Sequence, residues 1–230
     1  MTTERVERFK FSARFAHWGH TVTFLVLLFT GLTLYSDWFS FLIPIFGGRE
    51  GAQLVHRIFA IGFTVIPIVC LIANPGGFVQ WLKDVISWTW DDIKFIMVFP
   101  LEFFGLPVKI PPQGQFNGGE KMNSMVTTTS CVLLALSGYI MWFPQAFPMG
   151  LVRSAYPIHD ICMVLATTMV CMHAYLGSFH TGSGESFWGM WKGTVRSDWA
   201  AHHHAKWFRQ ITDKDANSHH QYQWQRGAGK

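Results

Sequence analysis

The stretch PIHDICMVLATTMVCMHAYLGSF, residues 157–179, decides the fold of this chain. It is apolar apart from Asp160 and two histidines, and long enough to cross about 30 Å of hydrocarbon at 1.5 Å per residue. His159 and His173 stand 14 positions apart. At 3.6 residues per turn that is ~3.9 turns, so both side chains leave the same face of one helix, separated by a rise of about 21 Å. Ligand-capable side chains inside a membrane span are costly and carry function as a rule.

Working outward, three further segments have the same character. They cover about Phe15–Tyr35, Leu54–Ala73 and Met122–Phe143, the second closed by the breaker run Asn74-Pro75-Gly76-Gly77 and the third by Pro144. The stretch Phe78–Phe99 is a fifth apolar candidate, but it holds Lys83, Asp84, Asp91, Asp92 and Lys94. Each such charge at mid-membrane costs roughly 2.5–3.5 kcal/mol. With Trp81, Trp88 and Trp90 the stretch reads instead as an amphipathic helix at the interface. Across all 230 residues 50% are hydrophobic and only 14% charged, against about 25% charged in soluble domains. The 11 Trp and 21 Phe suit membrane interfaces and flat cofactors.

Lysine and arginine set the orientation. Arg5, Arg8, Lys10 and Arg14 precede the first span, Lys83, Lys94, Lys109 and Lys121 flank the middle loop, and Lys192, Arg196, Lys206 and Arg209 follow the last. The opposite side has Arg49, Arg57 and Arg153. Positive residues stay in the cytoplasm, so both termini and the middle loop are expected there. The net charge of +4 then reflects topology and requires no nucleic acid. The N-terminus, Met1-Thr2-Thr3-Glu4-Arg5, is not apolar, so no cleaved leader is expected. Cys70, Cys131, Cys162 and Cys171 lie in apolar stretches and read as packing residues, and no C-x-x-C-H motif offers covalent haem attachment. The expected fold is all-α, an integral membrane four-helix bundle (1–210) with a cytoplasmic interfacial helix and a polar, mobile cytoplasmic tail (211–230).

The other span histidines match those of the quoted stretch in depth. His17 and His20 lie at the cytoplasmic level of His173, and His56 at the outer level of His159. A six-coordinate haem needs two axial imidazoles from facing helices. The spacing therefore predicts two bis-histidine sites, one from His56 with His159 and one from His173 with His17 or His20. Zinc or copper is a poorer reading, because the histidines are dispersed and only His17 and His20 share i, i+3 spacing. Gly31, Gly62 and Gly138 fit either a macrocycle close to the backbone or close helix packing. The run His202–His204 reads as a solvated segment facing headgroups or a partner.

Several motifs together resemble the gamma, or cytochrome b, subunit of membrane-bound formate dehydrogenases. They are Arg14-Phe15-Ala16-His17-Trp18, Leu54-Val55-His56-Arg57, Phe116-Asn117-Gly118-Gly119-Glu120-Lys121-Met122, Phe147-Pro148-Met149, Ile158-His159, Met172-His173-Ala174-Tyr175 and Lys206-Trp207-Phe208-Arg209. The resemblance covers most of the chain. It implies two haem b groups, with His17 and His173 on the inner iron and His56 and His159 on the outer. It also implies a quinone, menaquinone or ubiquinone, beside the inner haem at Asn117, Gly119, Glu120 and His173. The family usually has glutamine where Glu120 stands, so the hydrogen bonding there differs. The implied protein is the electron-transferring, quinone-reducing subunit of a complex in the bacterial inner membrane. An iron–sulfur subunit and a molybdenum or tungsten catalytic subunit would be its partners, and a higher oligomer of that complex stays open. Rival readings keep the cytochrome but exchange the partner for a thiosulfate or polysulfide reductase or a hydrogenase, or abandon haem for a plain membrane anchor.

Overall fold

The computed structural model describes residues 4–213. Four of its helices are long and apolar enough to cross a membrane: α1 (Phe11–Tyr35), α2 (Arg49–Ala73), α5 (Gly118–Trp142) and α6 (Met149–Ser178). They form two antiparallel hairpins, α1 with α2 and α5 with α6, each turning at what we call the hairpin end. The described chain ends meet at the other, terminal end. Large apolar side chains cover the outside of the bundle, with Ile72 at 74% exposed and Ile61, Ile68 and Val69 also exposed. Such a surface suits lipid or other membrane helices rather than water.

The helices begin upstream of the expected spans because their caps do. α2 starts after Gly48, whose φ of 104° lies in the left-handed region and follows the short 3₁₀ stretch Asp37–Phe46. α6 starts after Pro148, so Pro157 lies inside the helix and forfeits one backbone bond instead of opening the span. The segment expected as one interfacial helix is divided into α3 (Pro75–Ile86) and α4 (Trp90–Phe103). Asn74 caps the first by accepting from Gly77 N at 3.0 Å. The break comes at Thr89, whose hydroxyl and backbone N–H both donate to Asp92 at 2.7 Å, a capping box that starts a new helix.

Mid-bundle, each spanning helix gives one residue to a common core: Phe24, Phe63, Cys131 and Ala166. Ala166 lies midway between His159 and His173 and is fully buried, so the face carrying both histidines points inward. All four cysteines are free thiols; Cys131 and Cys162 are buried, whereas Cys171 is exposed. At the terminal end, strands β1 (Arg5–Glu7) and β2 (Thr194–Arg196) pair antiparallel, Val6 opposite Val195. With α7 (Gly184–Lys192), α8 (Ser197–His203) and a helical stretch over 205–213 they close a small cap around Val195, Ala200 and Trp207. Of the expected mobile tail, 211–213 continue that helix, and the remainder lies outside the described residues.

Candidate functional site

At the hairpin end, His56 on α2 faces His159 on α6 with ring centroids 6.5 Å apart. Each imidazole is held by the hairpin partner of its own helix. Thr30 Oγ1 on α1 lies 2.9 Å from His56 Nδ1, and Ser137 Oγ on α5 lies 3.0 Å from His159 Nδ1. The hydroxyl protons are already committed, to Val26 O at 2.7 Å and Leu133 O at 2.6 Å. Both hydroxyl oxygens therefore accept from Nδ1–H, which leaves each Nε2 with a free lone pair. Glycine follows each hydroxyl residue. A Cβ on Gly31 would lie 3.4 Å from His56 Cε1, and one on Gly138 3.4 Å from His159 Cε1. A larger side chain at either position would drive the ring off its line. A cavity of about 130 Å³ lies here, lined by Phe24, Phe63, Tyr139 and Met163 among others.

At the terminal end, His17 on α1 faces His173 on α6 with centroids 6.0 Å apart. The Trp18 ring lies edge-on to His17 at 5.0 Å. His20 does not join this pair; it stacks on Phe63 at 4.2 Å. The residues fit haem. Two imidazoles sharing one metal through bonds of about 2 Å, each ring centre roughly 1.1 Å behind its nitrogen, put their centroids roughly 6.3 Å apart. The two observed separations bracket that value. Among the described residues no group of three or more His, Cys, Asp or Glu side chains is placed to hold a metal ion, so each level offers a facing pair of imidazoles, the donor set of a bis-imidazole haem.

The residues expected at a quinone gather in one turn that opens α5. Asn117 Oδ1 accepts from Glu120 N at 2.8 Å, and the Glu120 carboxylate accepts from Asn117 N at 2.9 Å, a reciprocal cap. A Cβ on Gly119 would come 3.3 Å from Asn117 Oδ1 and 3.5 Å from Phe95. One and two turns further along α5, Asn123 Oδ1 and Thr127 Oγ1 are buried without a partner among the described residues. Sequence reasoning missed the partner of Glu120. Arg8, its side chain 1% exposed, donates to the carboxylate at 3.0 Å and packs over Trp199 and Phe9. It missed two further supports as well. Gln113 Oε1 accepts from Gly118 N at 2.9 Å, and Lys121 pairs with Asp92 at 2.9 Å with both side chains buried.

The histidine run is not the solvated segment expected of it. Only His202 is exposed; His203 stacks on Trp199 at 4.9 Å, and His204 is 1% exposed. His204 donates Nδ1–H to Gly114 O at 2.7 Å, so the run closes the cap over the loop that leads into α5. Burial, helped by the Arg8 charge, pushes the His204 pKa down to about 3.

The model of the prokaryotic cytochrome b561 family matches residues 8–193. The chain is 25% identical over 217 residues to the cytochrome b556(Fdn) subunit of the nitrate-inducible formate dehydrogenase of Escherichia coli K12, covering 93% of this chain and 95% of that one. It is 26% identical over 215 residues to the formate dehydrogenase cytochrome b556 subunit of Haemophilus influenzae (90% and 83%). Identity to the E. coli K12 cytochrome b556(fdo) subunit is 25% over 219 residues (93% and 98%). The family match runs through all four spans and both histidine levels. This multi-pass membrane chain, with imidazoles placed for haem b, belongs to the prokaryotic cytochrome b561 family.

Proposed function

We propose that this chain is the di-haem b membrane subunit of a formate dehydrogenase complex, taking electrons from an iron–sulfur partner at the hairpin end and delivering them to a quinone at the terminal end. The observation that carries the reading is the pair of facing imidazoles at each of two levels, with His159 and His173 on one inward face of α6. His56 and His159 would hold one haem, and His17 and His173 the other. Each haem supplies a one-electron iron couple when bound. The distribution of lysine and arginine supports a cytoplasmic terminal end, and the relatives' names support formate dehydrogenase as the complex. The outer position of the partners, among them a molybdenum or tungsten catalytic subunit, follows from that orientation.

Quinone reduction takes up two protons with two electrons, so the quinone needs protonatable groups near the cytoplasm. Glu120, paired with Arg8, is such a group, and the Asn117 amide has an Nδ2 donor left over from its cap. In the assembled complex, His56→Ala should collapse formate-to-quinone flux while formate oxidation by an artificial acceptor at the catalytic subunit continues. Unchanged quinone reduction in that variant would contradict the route. Asn117→Ala should impair quinone turnover and leave haem content intact.

A further inference from the structure

Thr30 and Ser137 are both almost completely buried, and each has its hydroxyl oxygen against a candidate ligand. The arrangement occurs twice, built by separate hairpins. In each, a hydroxyl residue and a glycine on the first helix meet a histidine on the second, as Thr30-Gly31 with His56 and Ser137-Gly138 with His159. The terminal level has no such match: His17 Nδ1 is buried with no partner among the described residues. The hairpin-end imidazoles thus have hydroxyl acceptors that His17 lacks among the described residues.

We propose that Thr30 and Ser137 are positioning residues that lock His56 and His159 with Nδ1 protonated and Nε2 free, and that they make the hairpin-end haem the lower in potential of the two. An Nδ1–H that donates to oxygen leaves its ring more basic at Nε2. Stronger donation stabilises ferric over ferrous iron and so lowers the potential. The two hydroxyls donate to carbonyls of their own helices, so each oxygen meets its imidazole as an acceptor. Electrons entering at that level would then run downhill toward the terminal level.

The inference rests on the two-haem reading, and its test separates the two. Purified full-length chain in lipid discs is assayed for haem per chain, for the low-spin bis-imidazole resonance, and for its two midpoint potentials by spectroelectrochemical titration. Thr30→Val and Ser137→Ala should each keep two low-spin haems, raise the lower midpoint and leave the upper one in place. The double variant should shift it further, and Thr30→Ser and Ser137→Thr should restore the original value. Two low-spin haems with both midpoints unchanged, or a shift confined to the upper component, would overturn the inference and spare the proposed function. Fewer than two haems in the unmodified chain would overturn the proposed function itself. If Thr30→Val alone loses haem, Ser137→Ala decides by the same criterion.

Discussion

At the scale of single residues, the histidines divide by what their rings face. His17 and His20 are separated by less than a turn of α1, and depth alone cannot choose between them as partner of His173. The structure turns His17 toward His173 and His20 onto Phe63. His17→Ala is therefore expected to lose one haem of two, whereas His20→Ala should retain both and lose only packing against Phe63. Haem extraction from the two purified variants checks this, and the reverse pattern would assign the ligand to His20. His204 provides a second prediction. Its ring is neutral down to about pH 3 when folded, against about 6.5 for a free histidine. Between those values the unfolded cap binds the extra proton and the folded cap does not, so cap stability falls as pH drops below about 6.5. His203, also depressed to about 4, adds to the same trend. Protection of the amides across residues 194–208, measured relative to the intrinsic exchange rate at each pH, should fall from pH 7 to pH 5, and His204→Gln should flatten that dependence despite the Arg8 and Glu120 charges nearby.

At the scale of elements, the start of α5 carries the most structure per residue. Gly118 packs against the Asp92 carbonyl so closely that a Cβ there would collide with it. Lys121 then reaches back to Asp92 and to Ser87 O at 2.8 Å, fastening α5 onto the start of α4. Removing one partner of a buried ion pair costs about 3–5 kcal/mol, so Asp92→Ala should loosen α4 from α5 by that order, visible as a lowered melting temperature. Glu120→Gln is a milder change: it keeps the cap with Asn117 but leaves the buried Arg8 guanidinium without its counter-charge. That variant should destabilise the terminal cap, and Arg8→Met combined with it should recover part of the loss. These contacts explain what was legible beforehand. The spans could be read because an apolar run of fixed length needs no tertiary information, and the division at Thr89 was readable in principle from Thr89 and Asp92 at capping spacing. Arg8–Glu120 and His204–Gly114 join residues about a hundred positions apart, and no local pattern announces such pairs.

At the scale of the whole molecule, four histidines on three helices meet in two layers, and the bundle between them is closed by Phe24, Phe63, Cys131 and Ala166. The depth pairing was legible because His159 and His173 recur on one helical face. The hydroxyl–glycine supports were not, since Thr30-Gly31 and Ser137-Gly138 are ordinary pairs until the hairpins bring each beside a histidine. Reporter fusions at both ends are expected to lie in the cytoplasm, and an outer location for both would reverse the proposed direction of electron flow across the membrane. The most direct measurement is the haem-to-chain ratio of the purified protein, by pyridine haemochrome against quantitative amino-acid analysis. Two haem b per chain, falling to one in His56→Ala, is the expected result. One haem or none in the unmodified chain would contradict the two-layer site.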